Sequence, residues 1–220
     1  MATYRFQFDE HLKELTTEII LMGERVEKAI ELSVQSLITG DLTSAHMVIS
    51  QDHEINALEE RIDDIGSKLI ATQQPVAKDL RRILISFKIA SDLERMADLA
   101  VDVAKAAVRL GENSTLKTLT DIPRMAELAQ QMTNESIVAF TDENIDLAYK
   151  MAKMDDEVDS LHSKVMIELF THIAHDPQSI NKAILVGFVS RYLERIADHA
   201  TNIGESVVYL VRGKRPDLNQ

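Results

Sequence analysis

The chain has no cysteine and no tryptophan, and among its 220 residues there are only 7 glycines, 4 prolines and 5% aromatics. Without cysteine there is no disulfide framework, no zinc–thiolate site, no iron–sulfur cluster and no cysteine nucleophile. That usage fits a reducing compartment, so a cytoplasmic location is expected. So few turn-forming residues exclude the frequent turns of a β-sandwich or barrel. Long hydrophobic runs are missing too: the longest, Ala183–Val189, has 7 residues, against about 20 for a membrane-spanning helix. No apolar leader follows Met1, so any membrane association is expected to go through partners. Positive charge is scarce, with 24 Lys plus Arg against 36 Asp plus Glu and a net charge of −12. With no basic stripe to neutralise phosphates, nucleic acid is not an expected partner. The apolar fraction, 45%, is ordinary and sufficient for a buried core. Together these point to an all-α protein of a few long helices.

What is present is one unit written twice. Leu93-Glu94-Arg95-Met96-Ala97-Asp98 recurs as Leu193-Glu194-Arg195-Ile196-Ala197-Asp198, an offset of 100. Upstream, Asp52, Glu54, Ile55 and Leu58 recur as Asp155, Glu157, Val158 and Leu161, an offset of 103, as do Met22/Met125 and Ser33/Ser136. The difference falls where Gln73-Gln74-Pro75 gives way to the shorter His175-Asp176-Pro177 link, and length changes belong in loops. Each unit reads as three helices, at about 9–39, 41–72 and 77–110, then about 119–141, 143–174 and 178–212. The implied organisation is a first three-helix repeat over 1–113, a second over 114–212, a link near Gly111–Ser114 and a polar tail from Gly213 to Gln220. Leu93, Met96, Ala100, Val103 and Ala107 step by three and four, as do Leu193, Ile196, Ala200, Ile203 and Val207. Such a seam predicts two tandem three-helix bundles of antiparallel helices. A helix of about 32 residues runs roughly 48 Å, so each unit is expected to be a rod, with a short link joining the two.

The third helix of each unit carries an acidic stripe. Glu94, Asp98 and Asp102 fall within about 80° of one another, a face roughly opposite the seam. In the second unit Glu194, Asp198, Asn202 and Glu205 take that place. Like charges one turn apart repel, so stacked carboxylates make sense around a hard cation, with Asp52 and Asn56 or Asp155 and Asp159 of the second helices as further ligands. A solvated face with Arg95–Asp98 and Arg195–Asp198 pairs accounts for the same pattern without metal. Lys105, where the second unit has Glu205, sets a cation beside the first stripe and favours the second as a metal site. His53, His162, His172 and His199 read as ordinary helix residues, and most of the nine methionines as core filler. There is no HExxH, P-loop, strand-linked GxGxxG or Glu-x-x-His motif. Nothing resembles a nucleophile activated by a base.

The repeated Leu-Glu-Arg-[Met/Ile]-Ala-Asp pattern resembles the PhoU family, the accessory and regulatory proteins of bacterial phosphate-specific transport. The likeness covers nearly the whole chain and is closest over Leu193–Glu205; the first copy departs after Asp98, ending in Asp102-Val103-Ala104-Lys105. What the resemblance implies is a cytoplasmic negative regulator of the phosphate-starvation response and of phosphate uptake, not an enzyme. It implies contacts with the phosphate-sensing histidine kinase and with the ATPase subunit of the phosphate ABC transporter, and a homodimer. It also implies divalent or trivalent metal (Fe, Zn, Mn, Mg or Ca) on the acidic motifs, not required for folding. A metal-dependent hydrolase or redox enzyme on a helical bundle, and a helical adaptor unrelated to phosphate, are the alternatives.

Overall fold

The computed structural model describes residues 2–111 and 121–214, with side chains from Phe6 onward. The rest of the expected link and most of the tail lie outside the described residues. Six long helices follow one another: α1 (Ala2–Thr39), α2 (Leu42–Gln73), α3 (Ala77–Leu110), α4 (Asp121–Asp142), α5 (Ile145–His175) and α6 (Ile180–Arg212). The sequence places their ends well. The main differences are α1, which begins several residues ahead of the expected start, and α6, which follows a single 3₁₀ turn at Pro177–Ser179. Buried Phe8 anchors the added turns of α1.

Local chemistry accounts for the breaks. The Asp41 side chain accepts from the backbone N–H groups of Thr43 and Ser44 and caps α2, while Asn144 does the same for α5 through Asp146 and Leu147. Each satisfies donors that a helix start leaves orphaned. Gly111 and Gly213, at φ 75° and 68°, end α3 and α6 in a backbone region open to glycine.

Within each unit the three helices pack on one another. The units then join through like helices: α3 lies against α6 and α1 against α4. The two expected tandem three-helix bundles are present, and they pack on each other around a continuous core, in which Ile19, Met22, Ile89, Met96, Phe140 and Ile196 are fully buried. Gly23 permits close approach at the α1–α4 seam, since a Cβ there would sit 2.7 Å from Ile137 Cγ1. As expected, methionine fills the core at Met22, Met96, Met125, Met132 and Met151.

Candidate functional site

Because α3 touches α1, α2 and α6, and α6 touches α3, α4 and α5, neither has a wide solvent face. The acidic stripe, expected roughly opposite the seam, runs along the groove between the third helix and the second helix of its unit, whose Asp52 and Asp155 interact with it. In the second unit, Asp155 of α5 and Glu194 of α6 are only 6% and 8% exposed. Asp198 is half-buried and Asp159 exposed. In the first, Asp52, Glu94 and Asp102 are half-buried and Asp98 is exposed.

Burial and crowding raise Asp155, Glu194, Asp198, Glu94 and Asp98. Asp155 is pushed up to about 7, first by burial and then by Asp198, Asp159 and Glu194. Glu194 also reaches about 7, through burial and then Asp198, with Arg191 partly relieving it. Burial and Asp159 raise Asp198, against the opposing pull of Arg191 and His199. In the first groove Glu94 and Asp98 are raised in the same direction, by burial followed by their carboxylate neighbours. The shifts of Asp155, Glu194 and Asp198, and those of Glu94 and Asp98, agree in sign, as low local dielectric and like charge require.

The structure thus brings together Asp155, Asp159, Glu194 and Asp198, and likewise Asp52, Glu94, Asp98 and Asp102. Asn202 and Glu205 continue the α6 stripe, half-buried, beyond the groups that shift Asp198. Lys105 Nζ bonds Asp102 Oδ1 at 3.0 Å and draws Asp98 downward. Two participants escaped sequence reading. Glu59 of α2, one turn beyond Asn56, repels Glu94, and Arg191 pairs with Glu194 one turn away on α6. The second was legible as an i,i+3 pair; the first needed the α2–α3 register.

Among the described residues no three His, Asp or Glu side chains stand together as a set that could hold a metal ion. The donor chemistry still fits a hard cation. Asp52 Oδ1, Asn56 Oδ1, Asp155 Oδ1 and Glu194 Oε2 are buried without a hydrogen-bond partner, and a buried, unpaired carboxylate oxygen is costly. All four are oxygens, the donor type a hard cation takes. The imidazoles have other business: His162 Nδ1 lies 2.7 Å from Ser190 Oγ. His199 turns away from Asp198 to meet Asp92 Oδ1 of α3 at 3.0 Å.

Comparison with known proteins follows this geometry. The family model described as the PhoU domain matches twice, over residues 19–107 and 122–207. A phosphate-specific transport system accessory protein PhoU homolog of Clostridium acetobutylicum is 39% identical over 96% of this chain and 97% of its own length. A homolog of the same description from Aquifex aeolicus is 38% identical, with 93% of each chain covered. The crystal structure of PhoU from Pseudomonas aeruginosa superimposes with a TM-score of 0.90 at 36% identity, covering 94% of this chain and all of that one. That of the phosphate transport system regulatory protein PhoU from Streptococcus pneumoniae gives 0.88 at 30%, covering 96% and 99%. Among the described residues no helix is long and apolar enough to cross a membrane.

Proposed function

The chain belongs to the PhoU domain family, and from that premise we propose that it is a regulatory accessory protein of phosphate transport. In this reading it acts in the cytoplasm, restrains phosphate uptake and holds down the phosphate-starvation response. It does so as a docking scaffold, as a homodimer, through the sensor histidine kinase and the transporter's ATPase subunit. The observation that carries the proposal is the end-to-end likeness to phosphate-transport accessory proteins at 39% identity. The duplicated carboxylate grooves supply the surface on which such contacts would be made.

Asp155, Asp159, Glu194 and Asp198, which do not form a ready-made metal set as they stand, would have to draw together to hold a divalent or trivalent cation such as Fe, Zn, Mn, Mg or Ca in the second groove. Asp52, Glu94, Asp98 and Asp102 would do so in the first, more weakly because Lys105 already occupies Asp102. When bound, the ion would supply positive charge to a site whose carboxylates now repel one another. The protein's own part is to set those oxygens along two helices and to bury Asp155 and Glu194 enough that water cannot satisfy them. With or without the ion, the grooves select basic partner surfaces and set association rates by complementarity.

Glu194→Gln with Asp198→Asn is expected to weaken binding to the purified ATPase subunit or kinase. It should also derepress phosphate-responsive gene expression in cells carrying the variant as the sole copy. Elemental analysis of chelator-free preparations should show divalent or trivalent metal in the parent and its loss in the variant. Unchanged partner affinity at low salt together with unchanged expression would remove the groove from the regulatory interface.

A further inference from the structure

The two units differ most at one end of the second. Ile167 and Phe170 on α5, with Ile180, Ile184 and Phe188 on α6, are 67%, 65%, 44%, 48% and 52% exposed. By the repeat offsets the matching residues of the first unit are Asp64, Ser67, Leu80, Leu84 and Lys88. The bundle architecture therefore does not demand apolar side chains there, since its twin carries an acid, a serine and a lysine at three of the five places. Exposed clusters of large apolar residues mark interaction surfaces.

The patch is continuous with the second acidic groove. Ile184, Phe188, Arg191, Arg195, Asp198 and Asn202 step along α6 by four, three, four, three and four, which places them on one face. All six are exposed or half-buried. From Ile184 to Asp198 the rise is about 21 Å. On α5, Phe170, Ile167, Ser163 and Asp159 descend the exposed side in the same direction. The charged groups at the far end that are exposed or half-buried are Asp159, Asp198 and Glu205 against Arg191 and Arg195, and Arg191 is already paired with the buried Glu194. Apolar contact at one end thus passes into excess negative charge at the other.

We infer that this strip is a docking site for a helical segment of another protein, one whose contact face carries apolar side chains for about two turns and Lys or Arg for the next two. Charge selects that occupant over a second copy of this chain, which would bring its own net charge of −12 to a negative groove. Area does so as well. Five large side chains, each about half exposed, present roughly 500 Å², below the about 800 Å² per partner of a stable protein–protein interface but ample for the anchors of one helix. The inference rests on the scaffold reading in that it names the kind of partner the second groove accepts.

The test uses the full chain and a fluorescein-labelled synthetic helical peptide, Leu-anchored over its first half and Lys-rich over its second half on the same face. A composition-matched scrambled peptide serves as the comparison. Fluorescence anisotropy at low salt should show the ordered peptide binding at least about tenfold tighter than the scrambled one. Phe170→Ser with Phe188→Lys, which installs the first unit's residues on an exposed surface, should weaken that binding by about tenfold or more. Equal binding of the two peptides, or a Phe170/Phe188 variant within about twofold of the parent, overturns the proposal. So does sedimentation showing that those substitutions instead dissolve a dimer. If Glu194→Gln with Asp198→Asn loses the peptide while the phenylalanine variant keeps it, this proposal falls and the acidic-groove reading stands. Loss with the phenylalanine variant but normal phosphate-responsive expression in the carboxylate variant gives the reverse.

Discussion

Asp155 and Glu194 show how a few atoms can be set against the fold that holds them. Each is nearly buried, has an unpartnered oxygen, and holds its proton up to about pH 7. The unfolded chain releases these protons near its ordinary carboxylate values, about 4. Between about pH 4 and 7 the native state therefore binds more protons than the unfolded state, and stability from these groups is lost as pH rises through about 7. Asp155→Asn removes the charge that causes this loss. At pH 8, without metal, it is expected to stabilise the protein by about 1–2 kcal/mol, seen as a rise in Tm of several degrees. At pH 4 the two proteins should melt together. A variant less stable than its parent at both pH values would show that the Asp155 carboxylate is satisfied in the fold. The carboxylates of this cluster were legible as acidic residues four apart on the second and third helices of the repeat. Their burial was not, because a helical wheel shows one seam, whereas α3 and α6 each meet three neighbours and the face opposite the first seam borders a second contact.

At the scale of the helix, stability is set by how each segment starts, and the repeat preserves the device while changing the residue. Asp41 and Asn144 occupy matching positions, 103 residues apart, and each accepts two backbone N–H bonds at 3.0–3.3 Å. Asp41 also takes the Ser44 hydroxyl at 2.6 Å. Asn144→Ala is expected to cost about 1 kcal/mol, and Asp41→Ala to destabilise in the same direction, both measured by urea denaturation. Asp41→Asn should be nearly neutral. If the alanine variants cost nothing, water caps these helices as well as the side chains do. Helix number, order and approximate ends followed from heptad spacing and scarce proline, because those signals are local. Asn144 as a cap was missed: the neighbouring Asp142-Glu143 marks the turn equally well in sequence, and only the backbone geometry separates the residues. The 3₁₀ turn at Pro177–Ser179 was absorbed into α6 for the same reason, one turn of either helix having the same composition.

The whole molecule is held in register by contacts that no local pattern announces. The Asp92–His199 pair bridges α3 and α6 at 3.0 Å with side chains 8% and 10% exposed, and thus ties one unit to the other. By the repeat its counterparts are Leu99 and Tyr192, so the polar bond is made once rather than twice. A buried polar pair across two similar surfaces favours one alignment of them, since a slip breaks the bond. The two tandem three-helix bundles were legible because each unit carries its own seam; how they pack on each other was not. The shared core makes each unit part of the other's interior. Unfolding should accordingly be one cooperative transition, with coincident curves from far-ultraviolet circular dichroism and from hydrogen exchange. Asp92→Ala, which strands the His199 ring, is expected to cost about 1–3 kcal/mol, with Asp92→Asn costing less because it keeps a partner. The decisive measurement is where that loss appears. Amides around Ile19 and Met22 in the first unit and around Met132 and Phe140 in the second, all fully buried, should lose the same protection in Asp92→Ala. A loss confined to one unit, or a second transition in the parent, would mean that the α3–α6 seam joins two independently stable bundles instead of completing a single one.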